Sequence, residues 1–208
     1  MQLTTKELLS ITALLLKYVE GRGHTVVQFA NQDSWYQKIW YKDRNFEGIP
    51  STSIGDLDDD LESLGKILKD KYYACPYDLE LLGAVLTMLG VVASRDTPVN
   101  DMMRPRGTLA EQLTTKQVLR VTKVLLKYID EWYNCTLVSF SSEDALYQRV
   151  RYQDLDFGGN PKITVGSAND DLVSLKELLD RKRLPCAYDL ERLGAVFTVL
   201  GSVMTKTK

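Results

Sequence analysis

One histidine, His24, serves the whole chain of 208 residues. It has no counterpart elsewhere in the sequence, which excludes a symmetric catalytic or metal site built on histidine. Cysteine is almost as scarce. Cys75, Cys135 and Cys186 form an odd set without close spacing, which argues against a disulfide framework and for a reducing compartment. C-x-x-C, the P-loop, G-x-G-x-x-G after a strand and G-x-S-x-G are all missing. The opening residues MQLTTKELLS lack the basic and apolar regions of a signal peptide. The longest apolar run, Leu81 to Ala93, is too short to cross a bilayer. Charge of one sign is lacking as well: the net charge is −2, so nothing global draws the chain to nucleic acid or to an anionic membrane. These absences lead us to expect a cytoplasmic protein, not an enzyme, with no cofactor, no metal and no membrane partner.

What is present is repetition. YDLELLGAVLTMLG (77–90) returns as YDLERLGAVFTVLG (188–201). LTTKELLSITALLLKY (3–18) returns as LTTKQVLRVTKVLLKY (113–128), WYQKIWYKDRNFEGIP (35–50) as LYQRVRYQDLDFGGNP (146–161), and DDLESLGKILKDK (59–71) as DDLVSLKELLDRK (170–182). Order is kept throughout, which neither chance nor low complexity produces. The chain therefore reads as a tandem duplication: a first repeat over 1–95, a linker over 96–111 and a second repeat over 112–208. The linker carries Pro98, Pro105 and Gly107 and shows no periodicity. Residues 1–95 hold 10 Lys and Arg against 13 Asp and Glu, net −3, and residues 112–208 hold 14 against 12, net +2. Two copies are too few for a solenoid, and the simplest arrangement is an intramolecular pseudo-dimer about an approximate two-fold axis.

Each copy reads as helix, strand, strand, a further short strand, helix, helix, an α+β domain with its helices grouped against one face of an antiparallel sheet. Thr4 with Glu7, and Thr114 with Gln117, have capping-box spacing at the start of the first helix. HTVVQFA (24–30) is β-branched and aromatic and WYQKIWY (35–41) alternates, and their short connection predicts a hairpin, as for CTLVSFS and LYQRVRY in the second copy. ITV (163–165) offers the third strand, more clearly than its counterpart in the first copy. Asp56 and Ser167 have the spacing of N-caps for the next helix. In the last helix Gly83, Thr87, Gly90 and Ser94 form one stripe, repeated by Gly194, Thr198, Gly201 and Thr205. Glycine inside a helix costs about 1 kcal/mol relative to alanine. A stripe of it therefore implies close approach, either to the other copy at the pseudo-dyad or to the copy's own sheet.

The candidate site comes from WYQKIWYK. One face, Trp35, Gln37, Ile39 and Tyr41, matches Leu146, Gln148, Val150 and Tyr152 and reads as core. The other, Tyr36, Lys38, Trp40 and Lys42, matches Tyr147, Arg149, Arg151 and Gln153, and aligns tryptophan with arginine as only an exposed face tolerates. Tyr36, Lys38, Trp40, Lys42, Tyr147, Arg149 and Arg151 are thus the expected partner-binding residues. They point to another protein, with nucleic acid or a nucleotide phosphate as the alternative partner through the same aromatic and basic side chains. The plain alternative is a solvated strand with long side chains over the sheet.

Two further features have plain structural explanations. The run Asp56, Asp58, Asp59, Asp60 lacks the glycine and glutamate of a calcium loop, with Leu61 and Ile67 in their places, so helix capping accounts for it. Cys75 and Cys186, at the start of the last helix, read as small buried hydrophobes. An enzymatic function would instead require a concave pocket between the copies holding a titratable group of shifted pKa.

Overall fold

A computed structural model describes residues 1–29, 34–39, 52–69, 73–95, 112–150 and 163–206. Its elements run β1 (Leu3–Thr4), α1 (Thr5–Gly21), β2 (Val26–Val27), β3 (Trp35–Ile39), β4 (Thr52–Asp56), α2 (Leu57–Leu68) and α3 (Pro76–Ser94). The same order returns as β5 (Leu113–Thr114), α4 (Thr115–Tyr133), β6 (Leu137–Val138), β7 (Leu146–Val150), β8 (Ile163–Ser167), α5 (Ala168–Leu179) and α6 (Ala187–Lys206). This is an α+β chain of helices with small sheets. The segment 96–111, read from sequence as a linker, lies outside the described residues.

Local sequence sets the helix starts. The Thr4 hydroxyl accepts from the Glu7 amide at 3.1 Å, while the Glu7 carboxylate accepts from the Thr4 amide at 2.8 Å. Thr114 and Gln117 repeat this at 3.2 and 2.8 Å, so donors that a helix end leaves unpaired are satisfied by neighbours in sequence. Ser167 accepts from the Asp170 amide at 3.3 Å, and Asp56 from the Asp58 amide at 2.9 Å, one residue earlier than its spacing predicts.

Strand pairing departs from the sequence reading. Among the described residues the strands do not join into one sheet per copy but form four separate two-stranded ladders. The predicted hairpin of 24–30 with 35–41 is not formed among the described residues. Instead β2 pairs antiparallel with β5, Val27 opposite Leu113, and β1 pairs with β6, Leu3 opposite Val138. The true hairpins are β3 with β4, Trp35 opposite Asp56, and β7 with β8, Leu146 opposite Ser167. The third strand is therefore present in both halves. A short connection favours a hairpin, but β2 is two residues long and finds its ladder beside the capping segment that precedes α4.

The helices interlock in the same manner. Helix α1 packs on α4, α5 and α6, α2 on α3 and α4, and α5 on α6. Lys176 on α5 pairs with Glu7 on α1 at 2.9 Å, the Thr5 hydroxyl donates to Asp130 at 3.0 Å, and the Thr115 hydroxyl donates to Glu20. At the centre α3 and α6 run antiparallel along their small-residue stripes. A Cβ on Gly83 would lie 2.6 Å from the Gly194 carbonyl oxygen, and one on Gly194 would lie 2.5 Å from that of Gly83. A Cβ on Gly90 would meet the Ala187 carbonyl at 2.7 Å, and one on Gly201 the Pro76 carbonyl at 2.6 Å. The stripes thus face each other. Backbone-to-backbone approach returns dispersion contact for the helix propensity that glycine forfeits.

Helix α3 has the length and apolarity of a bilayer span, contrary to the reading from its apolar run. Of that window 72% is buried inside the protein, against α6 and α2. Cys75 is half-buried, and Cys186 is exposed instead of buried as expected, because it precedes α6 at the surface.

Candidate functional site

The two hairpins hold the site residues, and the alternation along β3 and β7 divides them as period two requires. Which face turns inward is the reverse of the sequence expectation. Tyr36 and Tyr147 are buried. Each lies opposite a glycine of its partner strand, Gly55 or Gly166, and the ring covers it: a Cβ on Gly55 would lie 2.7 Å from the Tyr36 hydroxyl, and one on Gly166 would lie 2.5 Å from the Tyr147 hydroxyl. Each hydroxyl donates to a buried carboxylate on the following helix, Tyr36 to Asp60 at 2.9 Å and Tyr147 to Asp171 at 2.6 Å. Lys38 also turns inward, pairing with Glu80 of α3 at 3.1 Å and standing 4.2 Å from the centre of the Tyr77 ring. Polar side chains can fill an inward face when every one of them finds a partner there.

The exposed aromatic and basic stripe is thus corrected at Tyr36, Lys38 and Tyr147. Trp40, Lys42 and Arg151 lie outside the described residues, as does the side chain of Arg149 on β7. Of the face read as core, Trp35 and Leu146 point outward, Gln37, Ile39 and Gln148 are half-buried, and Tyr41, Tyr152 and the side chain of Val150 lie outside the described residues. Trp35 is 46% exposed and Leu146 39%, and their cross-strand neighbours Ile54 and Val165 are 60% and 56% exposed. Ile54 lies opposite Gln37 and Val165 opposite Gln148, which places each two residues along the pleat from Trp35 or Leu146, on the same side. Strands β3 and β7 also approach each other, bringing the two hairpins side by side.

Beneath the first hairpin an open cleft of about 300 Å³ runs between β3, β4, α2 and α3, with Tyr36, Lys38, Asp59, Asp60, Tyr77 and Leu81 among its walls. Burial raises the Asp60 carboxyl to about 7, against the opposing pull of the Tyr36 hydroxyl and the Lys38 ammonium. Asp78, one turn before Leu81, is raised in the same direction by burial, and its Oδ2 accepts from the Cys75 amide at 2.8 Å. The corresponding carboxylate of the second half behaves oppositely. Asp189 is fully buried, yet Arg183, the Cys186 amide and Arg192 outweigh that burial and hold it below the usual range. Arg183 grips it with two hydrogen bonds of 2.6 and 2.7 Å, and Arg192 adds one at 2.9 Å.

Sequence reasoning took the acidic run with Asp60 as helix capping, did not pair Tyr36 with Asp60 or Tyr147 with Asp171, and overlooked Gly55 and Gly166. The signal was there: each tyrosine is followed by its carboxylate at a separation of 24 residues in both halves. Among the described residues no cluster of His, Cys, Asp and Glu is arranged to hold a metal ion. No family model, no curated protein and no solved structure matches the chain.

Proposed function

We propose that this chain is a protein-binding module, an adaptor, inhibitor or assembly factor, that works by surface complementarity and not by catalysis. Its two halves are read as the arms of a duplicated pseudo-dimer, and the reciprocal glycine contacts of α3 and α6 support that reading. The observation that carries the function is the outward face of the hairpins. Trp35 with Ile54 and Leu146 with Val165 hold large apolar side chains in solvent at equivalent positions of both halves. Scattered apolar residues on a surface need no explanation, but paired ones on neighbouring hairpins make a patch of the kind that protein partners cover. The partner is a protein with an apolar surface of its own. The difference between tryptophan and leucine at the matching positions suits an asymmetric one. Two faces held in one chain raise avidity when the target spans both. Three cysteines, an odd set without close spacing, suit a reducing, cytoplasmic setting.

The test is photocrosslinking from Ile54 and Val165 in native lysate, with Tyr73 and Leu184, more exposed still and outside the hairpin strands, as controls. We expect one protein captured from both hairpin positions, resistant to nuclease, absent from the controls, and no longer bound in reconstitution by an Ile54→Asp/Val165→Asp variant. Capture that vanishes with nuclease, or equal capture from the controls, refutes the proposal.

A further inference from the structure

The contacts that join the two halves come in pairs with the roles exchanged. The Thr5 amide donates to the Thr136 carbonyl at 3.1 Å, and the Thr115 amide to the Thr25 carbonyl at 3.2 Å. The Thr5 hydroxyl donates to Asp130 and the Thr115 hydroxyl to Glu20, at aligned positions of the repeat. Leu3 lies opposite Val138 as Leu113 lies opposite Val27. On the central seam a Cβ on Gly83 would run into Thr198, and one on Gly194 would run into Thr87. Each half therefore presents to the other the same surface that it receives, which is the condition for an isologous interface.

That surface is incomplete within one half. Among the described residues β1 and β2 find their ladders only in β6 and β5, so a half without its complement leaves these strand edges bare. One contact breaks the reciprocity. Lys176 on α5 pairs with Glu7 on α1 at 2.9 Å, but the exchanged positions hold Gly65 and Gln117, which carry no charge. The first half is also net negative and the second net positive. A first half is thus better matched to a second half than to another first half. Nothing in this matching distinguishes the second half of the same chain from that of another copy. Residues 96–111 reach about 50 Å when fully extended. A flexible tether holds the chain's own second half at about millimolar effective concentration, and a second copy of the chain competes with it as its own concentration approaches that range.

We propose that a second copy of this chain is a partner of it, the two exchanging halves into a closed dimer in which each first half packs on the second half of the other chain. The inference rests on the two-fold reading of the halves given above and not on the apolar hairpin face. Exchange satisfies every contact named here and leaves no half unmatched, so the assembly closes at two chains. It also changes what the outward face is made of. Strands β3 and β7 lie side by side across the halves. In the exchanged dimer each pair of hairpins comes from two chains, and one particle carries two such pairs.

The test refolds isotopically heavy and light full-length chains together from urea at about 0.2 mM, close enough to the effective concentration of the tether for exchange to compete. Size-exclusion chromatography with light scattering separates monomer from dimer. A carbodiimide then joins Glu7 to Lys176, which the ion pair holds in contact. We expect a dimer holding about a tenth or more of the chain. In that fraction about half of the Glu7–Lys176 linked peptides should join heavy to light, and in the monomer none. A charge exchange gives a second reading. Chains carrying Glu7→Lys alone or Lys176→Glu alone each set like charges together when folded on themselves. Refolded together, they match both pairs only in the exchanged dimer, which should exceed the dimer of either variant alone at least about threefold. Monomer only in every sample overturns the proposal. So does a dimer whose Glu7–Lys176 links never join heavy to light, or a mixture of the two variants no richer in dimer than each alone.

Discussion

Replacing Gly194 by alanine tests the packing at the centre of the molecule. The new Cβ would lie 2.5 Å from the carbonyl oxygen of Gly83 and 2.8 Å from the amide nitrogen of Thr87. Both are backbone atoms, so no rotamer change relieves the clash. Helices α3 and α6 must part by somewhat under ~1 Å to restore ordinary contact distances. That separation loosens a seam whose flanking side chains Leu82, Leu86, Leu193 and Phe197 are buried. Overpacking of this kind costs about 1–3 kcal/mol, with backbone clashes at the upper end. Alanine offsets about 1 kcal/mol of this through helix propensity. The expected net loss is about 1–2 kcal/mol, or about 3–6 °C in Tm for a chain of this size. Gly65 is the control, since it also lies inside a helix but its added Cβ would rest 3.6 Å from a Leu113 methyl, an ordinary contact. Gly65→Ala should therefore gain about 0.5–1 kcal/mol. Thermal and urea unfolding followed by circular dichroism measures both. A Gly194→Ala protein as stable as wild type, beside a Gly65→Ala protein that gains, would show that α3 and α6 do not meet at these glycines.

Two further outcomes are expected. The folded Asp60 carboxyl sits at about 7, well above about 3.9 in an unfolded chain, so the folded state holds this proton more tightly. Its contribution to stability is full below about pH 4 and is lost as pH rises through 7, by up to about 4 kcal/mol. Asp60→Asn should remove that slope from a series of urea unfolding curves between pH 4 and pH 8, and an unchanged slope would refute the burial argument. Helix α1 packs on α4, α5 and α6, and β1 and β2 pair with β6 and β5. Residues 1–95 and 112–208 made as separate chains should therefore associate when mixed, read as a heterodimer by analytical ultracentrifugation. Two stable monomers that ignore each other would contradict the interlocked packing.

Much of the local structure was legible in the sequence. The capping boxes at Thr4 and Thr114 and the cap at Ser167 depend on residues within one turn of each other, so spacing and polarity suffice to find them. The stripe through Gly83 and Gly90 was equally plain as a demand for close approach, since glycine has no other reason to recur on one face of a helix. The site was legible only as a pair of faces. Alternation separates Tyr36 and Lys38 from Trp35 and Gln37 but carries no sign, and the inward side was assigned by polarity. That rule failed because Tyr36 and Lys38 are satisfied from afar, by Asp60 and Glu80, and because Gly55 makes room for the ring.

By itself, then, the sequence determined the repeated order of elements, where each helix begins, and that two helices each present a groove of small residues. Tertiary structure alone decided that β1 and β2 seek partners more than 80 residues away, β6 and β5. It also decided that the polar strand face is the buried one. The physical reason is the range of the interactions. Caps and helical periodicity are short-range and are written in adjacent residues. The burial of a tyrosine or a lysine depends on a carboxylate that only the folded chain brings within hydrogen-bonding distance.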